Sequence, residues 1–196
     1  MTPPQRTHGP DTSAEFFERL YKKAGDPWNF RHSAYERERY EAIINGIVGR
    51  RYRSAFEPGC SIGELTALLA PLCDSLDAMD FSGSAVATAS RRCKQYPQVQ
   101  IRRGALPGDI PAQPFELIVF SEIGYYFDLP VLANIATRLW AQLEPGGVLI
   151  ACHWLGHSSD HQLHGQVVHS VIRSVLGEPA NLNRPDQWYT LQRWQK

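Results

Sequence analysis

The sequence predicts an α/β fold: a mostly parallel, doubly wound sheet, preceded by a helical cap and finished by an antiparallel edge strand near the C-terminus. Three observations lead there. Strand-like and helix-like segments alternate over about 140 residues, the pattern of βα units on a parallel sheet. The segments "FELIVFSE" and "GVLIACHW" are near-continuous apolar runs of strand length, as strands covered on both faces should be. Between these units lie short breakers such as "EPGG", which stop helices and leave room for little else.

The elements follow in order. Residues 1–13 are rich in Pro, Thr and polar groups and carry too little apolar surface to order themselves. A helix is expected from Ser13, with Phe16, Phe17, Leu20 and Tyr21 on one face, ended by "GDPWNF", where Gly25 and Pro27 interrupt the pattern. A second helix is expected from about Ala34 to Val48, with Tyr40, Ile43, Ile44 and Ile47 as its apolar stripe. Residues 14–50 thus form the cap and residues 51–196 the α/β core of a single domain. The core reads as strand "SAFEPG", ending at Glu57, then helix "GELTALLAPL". Strand "SLDAMD" ends at Asp80, and helix "SGSAVATASRRCKQY" follows with Ser82 as its N-cap. Next come strand "VQIRRG", strand "FELIVFSE", helix "LPVLANIATRLWAQL" and strand "GVLIACHW". A helix from roughly Asp160 to Leu176 and the edge strand "QWYTLQRW" close the chain.

Composition narrows the function classes. The 196 residues are 43% hydrophobic, with 20 basic and 20 acidic side chains and a formal net charge of zero. A nucleic-acid partner would call for a basic surplus, so none is expected. Cys60, Cys73, Cys93 and Cys152 lie far apart with no C-x-x-C pair and read as reduced, buried thiols. "MTPPQRTHGPDTS" has no apolar core, and no apolar run approaches membrane-spanning length. The expectation is a cytoplasmic protein with no membrane partner; its oligomeric state is not legible.

The loop "EPGCSIG" after the first strand lies where a doubly wound sheet binds its ligands. Gly59 and Gly63 let the chain turn tightly and let a ligand approach the backbone. A dinucleotide fingerprint would have glycine where Ser61 stands, and Glu57 would repel a pyrophosphate. An ammonium-bearing ligand without phosphate suits the loop better. S-adenosylmethionine, an adenosine joined to an amino acid through a sulfonium, is such a ligand, and Glu57 is placed to serve its amino group directly or through water. Asp80, ending the second strand, is placed for the ribose hydroxyls.

With these residues the sequence resembles the class I S-adenosylmethionine-dependent methyltransferases, whose fold is Rossmann-like. "EPGCSIG" resembles their first motif, "MDFS" the second, "PFELIVFSEIGYYF" the fourth-strand motif and "LEPGGVLIACHW" the fifth-strand region. Within them it resembles the nodulation protein S family most, through "DPWNFRHSAYERERYEAII", "SEIGYYF" and "CHW" followed by "VVH". That resemblance implies N-methylation of an amino group on a small molecule or a chitooligosaccharide, with S-adenosylhomocysteine as product. It also implies cofactor contacts from Cys60 in the loop, Phe81 after Asp80, and Ser121. The acid often found after the third strand is replaced by Ala105, so Ala105 and Leu106 are expected to read the adenine through their backbone.

The chemistry is expected beyond the fourth and fifth strands. An amine must be neutral before it attacks, so a base helps. Glu122 is the first candidate, and the alternative is that it pairs with a basic residue of the cap. His153 is the second. Tyr125, Tyr126 and Trp154 are expected to line the acceptor site. In the cap, Trp28 and Tyr35 would close over the cofactor, and Arg31 would meet its methionine carboxylate. His157, His161, His164 and His169 invite a metal reading if they share a helical face. Transfer from a sulfonium needs no metal, so they are taken to line the acceptor cleft or face solvent. The rivals are transfer to another N- or O-acceptor, a nicotinamide-dependent reductase and a non-catalytic cofactor-binding module.

Overall fold

The computed structural model describes residues 11–182 and 188–196. The expectation for residues 1–10, and Gln187 at the start of the edge strand, lie outside them. Asp11 to Ser13 are held by local bonds: Asp11 Oδ1 accepts from the Ser13 hydroxyl at 2.6 Å, and Ser13 caps the first helix. Asp11 and Ser13 thus take part in defined local structure, contrary to the expectation drawn from composition.

Among the described residues, six α-helices pack on both faces of one seven-stranded sheet. The cap helices are α1 (Ala14–Ala24) and α2 (Ala34–Ile47). The core runs β1 (Ala55–Pro58), α3 (Glu64–Leu69), β2 (Leu76–Asp80), α4 (Gly83–Arg92), β3 (Val99–Arg103) and β4 (Phe115–Ser121). It continues through α5 (Leu129–Ala141), β5 (Leu143–Trp154), α6 (Gly165–Leu176), β6 (Ala180–Asn181) and β7 (Tyr189–Gln195). Strand order is β3-β2-β1-β4-β5-β7-β6, with β7 antiparallel to both neighbours. The order reverses between β1 and β4, so the carboxyl ends of those two strands flank the switch-point crevice. They pair only at Ala55↔Leu117 and Phe56↔Ile118 and run unpaired beyond.

Two apolar layers sandwich the sheet. One packs Ile43 and Ile47 of α2 against Leu117, Val148 and Ile150. The other packs Leu132, Ile135 and Leu139 of α5 and Ile172 of α6 against Phe115, Ile118 and Leu149. Ser82 caps α4 as expected, its hydroxyl accepting from Ala85 N at 3.1 Å.

Three elements differ from expectation. Helix α6 starts at Gly165, and residues 155–164 form a loop, because Gly156 and Gly165 both lie against Trp154 where a side chain would clash. Strand β5 already begins at Leu143, and "EPGG" is an irregularity within it, with Gly146 N donating to Lys196 O. The short β6 covers part of β7, so β7 is not a bare edge.

Gly63 shows why the loop after β1 needs its second glycine. It has φ 81°, and an added Cβ would lie 2.9 Å from Ala89 Cβ and 3.0 Å from its Cα. Both the conformation and the packing of α3 on α4 exclude a side chain. Gly63→Ala should destabilise the fold by about 1–3 kcal/mol, read by urea denaturation. Gly83→Ala is the control: a Cβ there meets nothing within 4 Å, and stability should hold or rise.

Candidate active site

The crevice at the switch point opens into a cavity of about 700 Å³ roofed by the cap, a size typical of small-molecule sites. Helix α1 is fastened over it by polar bonds to the loops below. Glu18 accepts from the Ser82 and Ser84 hydroxyls at 2.6 and 2.7 Å, and these bonds hold its pKa down at about 2. The Tyr21 hydroxyl donates to Ser61 Oγ at 2.6 Å. Between them Phe17 packs edge-on against Phe81 and Tyr126, at centroid distances of 5.4 and 4.9 Å.

The floor is set by the ends of β1 and β2. Gly59 N and Cys60 N both donate to Met79 O, and Ser61 takes φ 49°. Gly59 lies against Ile123, where a Cβ would approach to 2.5 Å. Asp80, buried and facing the cavity, accepts from Ser61 N at 3.0 Å and Ser82 N at 2.9 Å. Burial raises its pKa to about 6 against the pull of these N–H groups. Glu57 is also buried, accepting from Thr66 Oγ1 at 2.6 Å, and desolvation raises it to about 7. It does not line the large cavity. It opens with Gly59, Cys60 and Ser121 onto an adjoining pocket of about 40 Å³, roomy enough for water.

The most buried charge comes from the cap, and sequence reading passed over it. Arg39 of α2 is 1% exposed. It donates to Ser121 Oγ at 2.8 Å, pairs with Glu36, and lies 4.0 Å from Glu122 Oε1. Burial works against its charge, but Glu122 and Glu36 hold its pKa above the ordinary arginine value. In "YERERY" an acid and a base three apart look like a solvated helix face. Only the burial of α2 against β4 and β5 reveals otherwise. Arg39 Nε and the Tyr35 hydroxyl are both buried with no partner among the described residues.

Glu122 takes φ 61° and faces the cavity with both oxygens engaged. Oε1 accepts from Trp154 N at 2.7 Å and Oε2 from the Tyr125 hydroxyl at 2.9 Å. Burial raises its pKa, partly offset by Arg39. Its pairing with a basic residue of the cap, the alternative raised from the sequence, is what the geometry contains.

Five expected site residues, Arg31, Glu57, Cys60, Gly63 and His153, do not line the cavity. His153 is wholly buried and absent from the cavity wall. Its Nε2 accepts from Gly124 N at 3.0 Å, and its Nδ1 lies 3.2 Å from His169 Nε2. His169 Nδ1 in turn lies 2.8 Å from Gln192 Oε1. An acceptor at one end and an amide oxygen at the other fix both tautomers, so His153 holds the turn at 124–126 instead of facing the methyl group. Arg31 is partly exposed and pairs with Glu64 at 3.5 Å, outside the cavity. Ala105 lines the cavity but has its own N–H and carbonyl bonded to Asp109, at 2.8 and 2.9 Å. Trp28, Tyr35, Gly59, Ser61, Asp80, Phe81, Ala105, Leu106, Ser121, Glu122, Tyr125, Tyr126 and Trp154 do share the one cavity.

The histidines divide. His164 caps α6, accepting from Gln166 N at 3.3 Å, and lies 2.7 Å from Leu155 O. His157 packs beside it at 5.1 Å, and His169 is buried in the chain above. His161 alone of the four faces the cavity, stacked on Tyr125 at 3.7 Å.

Residues 10–152 match the family of nodulation protein S (NodS). The chain belongs to that family. Nodulation protein S of Bradyrhizobium diazoefficiens is 30% identical over 68% of this chain and 68% of its own length. That of Sinorhizobium fredii is 29% identical over 65% of this chain and 60% of its own. The chain thus spans about 60–70% of these curated relatives. Among solved structures, N-methyltransferase NodS from Bradyrhizobium japonicum WM9, in complex with S-adenosylhomocysteine, superposes with a TM-score of 0.80 at 22% identity. It covers 93% of this chain and 98% of that one. A Pseudomonas syringae structure assigned to the methyltransferases is 36% identical, with a TM-score of 0.69 over 84% of this chain and 100% of that one. The fold is that of these methyltransferase structures.

The buried histidine pair carries a pH signature. Burial pushes both rings down, His169 to about 4 and His153 well below its ordinary value. The unfolded chain therefore takes up protons first as pH falls below about 6.5, and stability declines from there until the folded pKa is reached. His169 accounts for about 3 kcal/mol of that decline. His169→Gln, compared with wild type by denaturation between about pH 8 and pH 4.5, should lose correspondingly less stability on acidification.

Proposed function

We propose that this NodS-family chain transfers the methyl group of S-adenosylmethionine to a primary amine on a small molecule or amino sugar. The observation that carries the amine is charge. The described residues lining the cavity include Glu36, Asp80, Glu122 and Asp128 and no lysine or arginine. An acid-walled, partly desolvated cavity concentrates cations and repels anions. It suits a sulfonium and an ammonium together.

The residues present fit the cofactor. S-adenosylmethionine supplies a methyl group already activated by positive sulfur, which leaves the protein to position the acceptor and exclude water. Asp80 offers a buried carboxylate at the end of β2 for the ribose. Glu57 reaches the amino group through the small adjoining pocket. Arg39 Nε and the Tyr35 hydroxyl, two buried polar atoms with no hydrogen-bond partner among the described residues, are the candidates for the methionine carboxylate, in place of Arg31. Trp28, Phe81 and Leu106 supply apolar walls. Tyr125, Tyr126 and Trp154 give the acceptor side flat faces on which a sugar ring can stack.

Trans-aconitate 2-methyltransferase of Deinococcus radiodurans is 31% identical over 60% of this chain and 43% of its own length. A polyanionic acceptor of the kind its name gives would meet four acids here, which supports the amine over a carboxylic acid.

The test is a panel. Glucosamine, deacetylated chitotetraose, ethanolamine and trans-aconitate are offered with S-adenosylmethionine, and S-adenosylhomocysteine release is followed. Turnover of an amine and not of the acid is expected; methylation of trans-aconitate alone would end the reading. Calorimetry should show S-adenosylhomocysteine binding and NADH not.

The cap should respond unevenly to the cofactor. Helix α1 is held to the loops by side-chain bonds, whereas α2 is anchored by buried Arg39. Hydrogen exchange should show α1 gaining protection when S-adenosylhomocysteine binds and α2 protected in both states.

A further inference from the structure

We propose that His161 is the base that takes the proton of the acceptor ammonium. The assignment rests on the amine reading above. The other titratable groups of the cavity wall are committed or unsuited. Glu122 and Asp80 each accept a hydrogen bond at both oxygens. Glu36 is paired with Arg39, and Asp128 caps α5 through Val131 N at 2.9 Å. Burial drives the phenols of Tyr21, Tyr35, Tyr125 and Tyr126 above their ordinary value, so they stay protonated. His153 is sealed behind the wall.

His161 differs in each respect. Its ring is half-buried at the acceptor end of the cavity, and stacking holds it in place. The ring lies flat on Tyr125, 16° from parallel, with Tyr126 edge-on at 5.3 Å and Trp154 edge-on at 6.1 Å. These are the three aromatic groups expected to seat the acceptor. Stacking leaves the ring nitrogens at the edge of the imidazole, open to a partner. The titratable groups around it are Tyr125 and Tyr126 on the wall, His153 behind it, and Asp160, His157 and His164 in its own loop. Burial lowers its pKa, Asp160 opposes, and His164 and His157 add to the lowering. The ring is accordingly neutral at neutral pH, the state a base requires.

The step balances. An imidazole nitrogen takes one proton from R–NH₃⁺, giving R–NH₂ and imidazolium. The amine lone pair then forms the N–C bond to the methyl group. The C–S bond breaks and its electrons return to sulfur, leaving neutral S-adenosylhomocysteine and R–NH₂⁺–CH₃. The imidazolium releases its proton to solvent through the open side of the loop.

The test uses the full chain with the panel amine that wild type turns over fastest. His161→Gln keeps a polar side chain without a titratable nitrogen. It should lower kcat near pH 7 by about 10²–10⁴-fold while affinity for S-adenosylhomocysteine stays within about twofold. The deficit should shrink above the amine's own pKa, where the acceptor arrives neutral, and added imidazole should partly rescue His161→Ala. In wild type, the His161 ring signals, assigned by their loss in the variant, should titrate below about 6.5 and shift when glucosamine joins the S-adenosylhomocysteine complex. Amine turnover unchanged by His161→Gln at pH 7, or a deficit equal at every pH without rescue, overturns the assignment alone. A wild type that methylates trans-aconitate and no amine overturns the amine reading and this assignment with it.

Discussion

A single buried guanidinium joins the two halves of the molecule. Arg39 comes from the cap, yet its partners Ser121 and Glu122 lie at the carboxyl end of β4. A buried cation is tolerated only when acids and hydrogen bonds replace its water, so Glu36, Ser121 and Glu122 must stay where they are. That requirement fixes α2 against the sheet. Glu122 takes a positive φ there, just before the turn that carries Tyr125 and Tyr126 to the cavity. Its Nε is left without a partner among the described residues.

The other end of the cap is attached more lightly. Helix α1 holds on through Glu18, Tyr21 and the Phe17 ring, all bonded or packed to loops instead of to the sheet. Ser61 accepts from Tyr21 and gives its own N–H to Asp80. The loop that would meet the cofactor is therefore also the loop that holds the lid. A ligand on Asp80 and the position of α1 are linked by two hydrogen bonds.

Histidine illustrates how burial separates roles that the sequence leaves merged. His153 and His161 are eight positions apart on β5 and the loop after it. One is sealed in a neutral chain with His169 and Gln192, supporting the turn from behind. The other stacks on the front of the same turn. Tyr125 lies between them, 5.6 Å from His153 edge-on and 3.7 Å from His161. Both imidazoles thus pack on one aromatic ring.

The sequence by itself determined the alternation of strands and helices, the switch-point loop, Ser82 as a cap and the cavity positions of Asp80, Glu122 and the aromatics. These are local or periodic features: an apolar run, a glycine where φ is positive, an acid at a strand end. It could not determine burial of charge. Glu36 and Arg39 went unremarked in the sequence, while Arg31 read as a cofactor contact and His153 as a cleft residue. Which side of a helix or strand end faces a neighbour depends on elements far away in the chain. The loop at 155–164 was missed for a related reason: two glycines are needed there because Trp154 lies against them, a contact no local pattern records. Only the tertiary structure decided which charges lost their water, and through that which side chains remain free to act.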